Sequence, residues 1–267
     1  MTADADGGDV AASHAPLTAP SGYTPVFSTG GVTCWRQPAA RPDYVCAADM
    51  RVARVHPVHG TPGTRDAYGE TPFTRRTLSQ LYAAASVPGL RPVVAVNASF
   101  FATGASPAPL SYPYKASGTL LNFGFGMTDA YAQRGQVVIA SFWPDRQYAA
   151  IGPHSNTAAA RTGLTAWGSA PDIVGALHPS ADKDAGRSIP RTFLGVRDTN
   201  GDGTRETVLV FSSALASQAY AVGELRRFGA TEIAMLDGGG SSGLIIDGTS
   251  YVTPSRTIPN ALVLYAR

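Results

Sequence analysis

The sequence lacks any apolar run approaching the roughly 20 residues that a helix needs to cross a bilayer. It also lacks a basic start followed by an apolar stretch, which is the pattern of a secretory signal peptide. The first absence predicts a protein without a membrane span. The second means that the sequence itself contains no recognisable export signal.

Strong charge of either sign is missing as well. Charged residues make up 15% of the chain, the formal net charge is +2, and no run of like charges exceeds a few residues. The basic residues are almost all arginine, with Lys115 and Lys183 the only lysines. Because proteins that bind nucleic acids through phosphates carry a basic stripe or patch, the sequence predicts no nucleic-acid partner.

Cysteine is scarce, with Cys34 and Cys46 the only two in the chain. Two cysteines alone cannot complete a four-ligand zinc site, and their spacing is not the Cys-x-x-Cys of redox motifs. The pattern favours a single structural disulfide that closes a hairpin-sized loop, with a redox pair as the alternative. A structural disulfide indicates an oxidising compartment.

Residues 1–22 contain little that could pack into a core. They begin Met-Thr-Ala-Asp-Ala-Asp-Gly-Gly and continue with alanine, serine and proline, a composition typical of a flexible tail. We predict such a tail at 1–22, followed by one domain over 23–267. An initiator methionine joined to this tail is what a mature secreted protein looks like after its signal peptide has been replaced. We therefore expect a secreted protein, with a cytosolic protein as the alternative.

The apolar pattern predicts many short strands and two main helices. One helix is expected after Thr74, with Leu78 and Leu81 on its apolar face, and the second opens at Ser213 and ends at Gly229. Strands are expected at 45–58 (one or two), 91–97, 119–125, 136–142, 173–177, 193–196, 207–211, 232–236, 243–246 and 261–265. Strands and helices do not alternate regularly, which predicts a single α+β domain with mixed, twisted sheets.

The first motif that could carry chemistry is Asp237-Gly238-Gly239-Gly240-Ser241-Ser242, which follows an apolar strand. Glycines permit positive φ and close approach to a ligand, and their N–H groups can converge on an anion. A carboxylate at the end of a buried strand suits acid, base or nucleophile chemistry. The motif has neither the Gly-Lys-Ser ending of a P-loop nor the Gly-x-Ser-x-Gly of a serine-hydrolase elbow. A glycine-rich β-turn without a function is the alternative.

Other segments carry polar side chains suited to a sugar or a phosphate. Asn97 ends a second apolar strand and is followed, after two residues, by a pair of phenylalanines. Arg191 and Arg256 carry the planar guanidinium that binds phosphate oxygens in a bidentate way. Because the chain contains nineteen arginines, neither arginine is informative without the pattern around it.

In combination, these segments resemble the phosphodiester glycosidase family. Their order is Asn-x-x-Phe-Phe, Arg-Thr-x-x-Gly, a helix, a strand, Asp-Gly-Gly-Gly-Ser-Ser, and Arg-x-x-Pro-Asn before a terminal strand. The likeness extends from about Val45 to the C-terminus. It implies a pocket formed by Asn97, Arg191, Thr192, Asp237, Gly238, Gly239, Gly240, Ser241, Arg256 and Asn260. Ala98 departs from the pattern, because the family usually has glycine after the asparagine.

The resemblance implies a hydrolase that cleaves the C1–O bond of a sugar-1-phosphodiester, with a phosphate-linked glycan of a bacterial surface polymer as substrate. Phosphate is a good leaving group, so charge stabilisation matters more than a strong general acid. We expect Arg191, helped by Arg256 and the glycine N–H groups, to hold the phosphate. Asp237 would act as nucleophile or as base for water, and Asn97 would orient a sugar hydroxyl. This chemistry requires no cofactor, and Asp237 is the one carboxylate within the matched motifs.

A separate segment predicts a structural Ca²⁺ ion. Its oxygen-bearing residues are Asp198, Asn200, Asp202, Thr204 and Glu206, in the order Asp-x-Asn-x-Asp-Gly-x-x-Glu between two strands. Alternating oxygen side chains with a glycine at the sharp turn suit this hard cation. Position twelve of an EF-hand would be Leu209, so the segment is more similar to the calcium hairpins of β-propeller blades. An ordinary Asn-Gly or Asp-Gly turn is the alternative.

Two other functions fit parts of the sequence. A phosphodiesterase that cuts the P–O bond would be recognised by its dependence on a metal. A carbohydrate- or cell-wall-binding module would keep the fold without turnover, and such chains often lose a carboxylate. Asp237 and Arg191 are both present, which favours an enzyme.

Overall fold

Two antiparallel sheets form the frame of the structure, a computed structural model that describes residues 17–267. Residues 1–16 of the predicted tail lie outside the described residues. The strands are β1 (Thr24–Thr29), β2 (Val32–Gln37), β3 (Asp43–Asp49), β4 (Arg54–His59), β5 (Arg91–Asn97), β6 (Tyr114–Ala116), β7 (Thr119–Asn122), β8 (Val137–Trp143), β9 (Tyr148–Pro153), β10 (Asp172–Leu177), β11 (Ile189–Arg197), β12 (Thr207–Ala216), β13 (Glu232–Met235), β14 (Leu244–Ile246), β15 (Thr249–Val252) and β16 (Asn260–Ala266). The helices are α1 (Leu78–Ala84), α2 (Ala130–Gln133), α3 (Ala158–Ala166) and α4 (Gln218–Arg227).

The larger sheet has eleven strands, ordered β1-β2-β3-β12-β11-β13-β10-β6-β7, with β8 paired to β10 and β9 paired to β8. The smaller sheet has five strands in the order β15-β14-β5-β16-β4. Pairs between the described strands are all antiparallel, so the expectation of mixed sheets was wrong. Strands dominate and helices are few, within one domain of the α+β class.

The main core lies between the two sheets, and a second core lies between the large sheet and α4. In β3, Tyr44 and Cys46 belong to the inter-sheet core together with residues of the smaller sheet, whereas Val45 belongs to the second core, which includes Ala221 and Leu225 of α4. Central strands of the large sheet are therefore buried on both faces. This double burial explains why their sequences read as continuous apolar runs without polar alternation.

The helices differ in part from the expected pair. The first begins after Thr77 instead of Thr74, because Thr77 and Gln80 form a capping box. The second begins after Ser217, whose side chain accepts the Tyr220 N–H, and Ser213 belongs to β12, where it pairs with both neighbouring strands. At nine residues, α3 is nearly as long as the ten-residue α4, and it buries a single side chain, Leu164.

The predicted disulfide is confirmed. Cys34 on β2 and Cys46 on β3 face each other in the register of the two strands and form one S–S bond. The bond crosses adjacent strands within the large sheet and is buried in the inter-sheet core.

Within residues 17–267, no helix combines the length and the apolarity that crossing a bilayer would require.

Candidate active site

A cleft of about 370 Å³ opens where β5 and β13 end and β11 begins. Here Leu236 donates to the Thr192 carbonyl at 3.1 Å within the larger sheet, and Asp237 donates to the Ala98 carbonyl at 3.0 Å, which joins the larger sheet to the smaller one. The lining residues are Phe100, Phe101, Thr103, Ser111, Tyr112, Asp129, Tyr131, Lys183, Asp184, Ile189, Arg191, Met235, Leu236, Asp237, Gly238, Gly239 and Arg256. The cleft therefore collects several of the predicted residues from distant parts of the chain.

Asp237 is a buried carboxylate in the wall of this cleft, with 8% of its surface exposed. Burial raises its pKa to about 6, and Ser241, Arg256 and Lys183 act in the opposite direction. Its Oδ1 accepts the Gly238 N–H at 3.0 Å, whereas the buried Oδ2 has no hydrogen-bond partner within the described chain. A carboxylate with a pKa near neutrality and one unengaged oxygen is suited to proton transfer or nucleophilic attack.

The glycine loop that follows needs its glycines for two separate reasons. Gly239 has a φ of +59°, in the left-handed region that side chains disfavour. A Cβ on Gly240 would lie 2.7 Å from the Ser255 Oγ, so a side chain there would displace the Ser255 hydroxyl from the loop. The loop forms a single 3₁₀ turn over Gly239–Ser241.

Arg256 is fixed against this loop. Its Nε donates to the Ser241 Oγ at 2.8 Å, and its Nη2 donates to the Gly238 carbonyl at 3.3 Å. The guanidinium carbon also lies 5.7 Å from the centre of the Phe101 ring. The predicted Asp-Gly-Gly-Gly-Ser segment and Arg256 thus form one unit, with a positive charge held near the Asp237 carboxylate.

Asn97 lies behind the cleft, with 1% of its surface exposed. Its Nδ2 donates to the Asp237 carbonyl at 2.5 Å, and its Oδ1 accepts from the Thr192 Oγ1 at 2.6 Å and from the Gly243 N–H at 3.0 Å. The structure therefore places Asn97 and Thr192 as supports of the Asp237 backbone, not facing open space where a sugar hydroxyl would lie.

Asn260 has a similar supporting place. It is buried, and its Oδ1 accepts the Ser99 N–H at 3.1 Å while its Nδ2 donates to the Ser99 Oγ at 3.1 Å. These bonds hold the segment after β5 against β16. Ala98, in the same segment, has no left-handed φ, so the absence of the family's usual glycine causes no backbone strain.

Among the predicted pocket residues, Arg191 differs most from its expected role, which was to hold the phosphate. The side chain is 1% exposed, and its guanidinium donates to the backbone carbonyls of Lys183 at 2.8 Å and Asp184 at 2.6 Å. Further bonds reach the carbonyls of Arg187 at 3.3 Å and Ala216 at 3.4 Å. With these donors engaged, Arg191 fixes the 183–187 loop at the edge of the cleft instead of presenting a free guanidinium fork to a phosphate.

The structure adds residues that the motifs did not indicate. The Lys183 ammonium lies 5.3 Å from the centre of the Tyr131 ring and 5.7 Å from that of Phe100, and it lowers the pKa of Asp237. Asp129 accepts the Tyr112 hydroxyl at 2.9 Å. For Lys183 the sequence signal was the rarity of lysine in the chain, since its polar loop resembles no motif. The predicted motifs do not include Asp129.

The predicted calcium residues lie elsewhere. They form the loop between β11 and β12, at the opposite end of this hairpin from Arg191 and outside the cleft.

Comparison with solved structures shows the fold. The chain is similar to a hypothetical protein from Synechocystis, with 14% identity, a TM-score of 0.51 and coverage of 93% of this chain and 64% of the other, so it spans less than two thirds of that protein's length. It is also similar to the catalytic domain of zebrafish N-acetylglucosamine-1-phosphodiester alpha-N-acetylglucosaminidase, auto-inhibited by its pro-peptide, with 12% identity, a TM-score of 0.56 and coverage of 92% and 82%. A search of curated protein sequences gives no significant match.

The family follows from the sequence match itself. The family model described as phosphodiester glycosidase matches residues 91–265, which are 175 of the 267 residues and include every predicted pocket residue. The chain belongs to the phosphodiester glycosidase family.

Proposed function

We propose that this protein is a secreted glycoside hydrolase that cleaves the C1–O bond of a sugar-1-phosphodiester in a bacterial glycan or surface polymer. The family membership supports hydrolysis of phosphodiester-linked sugars. The observation that carries the proposal is the buried Asp237 carboxylate, with a pKa raised to about 6, in a cleft that also presents Arg256 and Lys183. The confirmed disulfide supports an oxidising, extracellular setting.

Lys183 and Arg256 are the groups that would hold the phosphate. Both line the cleft, and both lower the pKa of Asp237, which indicates that their positive charges act at the carboxylate. Among described residues Lys183 forms no ion pair, so its ammonium retains the capacity to bind an anion. This assignment transfers the phosphate-binding role from Arg191 to Lys183 and keeps it for Arg256.

Asp237 would act at the anomeric carbon, either as nucleophile or as base for an attacking water. As the C1–O bond breaks, its electron pair stays on the phosphate oxygen, where Lys183 and Arg256 stabilise the growing charge. If Asp237 is the nucleophile, water then displaces its carboxylate from C1, and if Asp237 is the base, water attacks C1 directly. In both routes the hydroxyl of the water goes to C1 and its other proton is released, so the products are a free sugar and a phosphomonoester. The aromatic side chains of Phe100, Phe101 and Tyr131 offer flat apolar surfaces for the sugar ring beside these charges.

The test is hydrolysis of a panel of methyl phosphodiesters of sugar 1-phosphates, in both anomers, followed by ¹H and ³¹P NMR. We expect free sugar and methyl phosphate to appear with the wild-type protein and with Asp145→Asn, a change at an exposed carboxylate outside the cleft. In Asp237→Asn, turnover should fall at least about 10³-fold while substrate binding persists. Full activity of Asp237→Asn would refute its role. Saturable glycan binding with no turnover across the panel would instead identify a binding module.

A further inference from the structure

The loop between β11 and β12 gathers carboxylates far from the cleft. One oxygen each from Asp198, Asp202 and Glu206 lies within 4.8 Å of the others. Because oxygen ligands stand 2.3–2.6 Å from Ca²⁺, two oxygens on the same ion are at most about 5 Å apart. All three side chains can therefore contact a single Ca²⁺ ion.

Glu206 provides a second, independent indication of a ligand. The residue is buried, with 2% of its surface exposed. Its Oε1 accepts the Thr199 N–H at 3.1 Å, whereas the buried Oε2 has no hydrogen-bond partner among residues 17–267. A buried carboxylate oxygen without a partner is costly, and a cation bound between Glu206 and the two aspartates removes this cost.

The charges around the loop also favour a dication. Arg51 lies 3.5 Å from the Glu206 Oε1, but its guanidinium is held by Asp49 through two bonds of 2.8 Å. Asp198, Asp202 and Glu206 gather in one place, and among the described residues the guanidinium that contacts them within 4 Å is that of Arg51, which Asp49 also engages, so an excess of negative charge remains at the loop. A bound Ca²⁺ ion would offset most of this excess.

We propose that the 198–206 loop binds one Ca²⁺ ion through Asp198, Asp202 and Glu206, with Asn200 and Thr204 completing the oxygen shell. The ion joins the two strands at the closed end of the β11–β12 hairpin. From Arg191 to Arg197 the strand covers about 20 Å, so the ion stabilises the fold and takes no part in chemistry at the cleft. Mg²⁺ fits less well, because it demands octahedral geometry and gives up its waters reluctantly.

The experiment measures binding and stability, so its outcome does not depend on the proposed enzymatic activity. The full chain is freed of metal with EGTA and titrated with CaCl₂ in a calorimeter, and its thermal midpoint is recorded in EGTA, in CaCl₂ and in MgCl₂. We expect one Ca²⁺ ion per chain and a higher midpoint in CaCl₂ than in EGTA or MgCl₂. Asp202→Ala, at an exposed position, should weaken Ca²⁺ affinity at least about tenfold and reduce the shift. Asp145→Asn should bind as the wild type does.

Absence of both Ca²⁺ binding and a midpoint shift in the wild type would overturn the proposal. Binding that persists undiminished in Asp202→Ala and in Asp198→Asn would overturn it too, because the ion would then be held elsewhere. Glu206→Gln provides a further check, and if that variant does not fold, the exposed Asp202→Ala still decides.

Discussion

The side chain of Asn97 donates a hydrogen bond to the backbone carbonyl of Asp237 at 2.5 Å. Asn97 ends a strand of the smaller sheet, and Asp237 follows a strand of the larger one. This bond, with the one from the Asp237 N–H to the Ala98 carbonyl, fixes the carboxylate at the seam between the two sheets. The fold therefore sets the position of Asp237 through buried amide contacts, without requiring the side chain to be held by other charged groups.

Asn97→Ala should reduce kcat about 10- to 100-fold while KM changes little, because Asp237 loses its position and not its contact with substrate. The same change leaves the Thr192 hydroxyl, the Gly243 N–H and the Asp237 carbonyl without their partner, which should lower the free energy of unfolding by about 1–3 kcal/mol. Steady-state kinetics and denaturant unfolding measure both effects. Thr192→Ser, which keeps the hydroxyl, is the control. A raised KM with unchanged kcat would show that Asn97 contacts the sugar after all.

The pH profile of kcat/KM should have an acid limb with a midpoint at about 6. Burial raises the pKa of Asp237 to about 6, and attack on the anomeric carbon requires the ionised form, so activity should be lost as the pH falls through this value. Arg256→Gln should move the limb to higher pH, since Arg256 lowers the pKa of this carboxyl. An increase in kcat/KM as the pH falls through 6 would mean that Asp237 works as an acid.

Asp237→Asn should be more stable than the wild type at pH 8. The folded-state pKa of about 6 lies above the ordinary value of 3.8, so the folded wild type binds its proton more tightly than the unfolded chain does. The ionised carboxylate thus destabilises the fold at high pH by up to about 3 kcal/mol. As the pH falls from 6 to 4 the wild type regains this stability. The gap between the two proteins in free energy of unfolding should therefore close. Urea unfolding at several pH values measures the gap, and a gap that does not vary with pH would contradict the raised pKa.

Substitutions of Lys183 and Arg191 should show that Lys183 binds the phosphate and that Arg191 stabilises the fold. Lys183→Met should raise KM and the inhibition constant of inorganic phosphate at least about tenfold with the thermal midpoint unchanged, whereas Lys183→Arg should retain most binding. Arg191→Gln should lower the thermal midpoint, because four backbone carbonyls lose their donor. If Lys183→Met binds phosphate normally, and Arg191→Gln loses phosphate binding without loss of stability, the original assignment of Arg191 as the phosphate ligand is correct.

Features whose structure is determined by local chemistry could be predicted from the sequence alone. Strand β5 has the predicted bounds of 91–97, because its run of β-branched residues is buried on both faces. The glycine loop was predicted from three consecutive glycines after an apolar strand, and Gly239 has the positive φ that glycine permits, while the disulfide followed from a simple count of cysteines.

Features that depend on long-range contacts were not predicted from the sequence. Arg191 has the residue type of a phosphate ligand, but its hydrogen bonds go to carbonyls of a loop whose position only the fold determines. Ser213 resembles a helix cap, yet pairing with β11 and β3 keeps it in a strand. Lys183 reaches the cleft because Arg191 and Gln218, the latter distant in sequence, hold its loop there.

The most direct test of the account is hydrolysis of the sugar-1-phosphodiester substrate in ¹⁸O-labelled water, with analysis of the phosphomonoester by mass spectrometry. This product does not exchange its oxygens with water during the assay, so it records which bond was cut. Attack at the anomeric carbon predicts a phosphomonoester without ¹⁸O, formed by the wild type and not by Asp237→Asn. A phosphomonoester that carries ¹⁸O would show cleavage of the P–O bond and would contradict the assignment of this protein as a glycosidase.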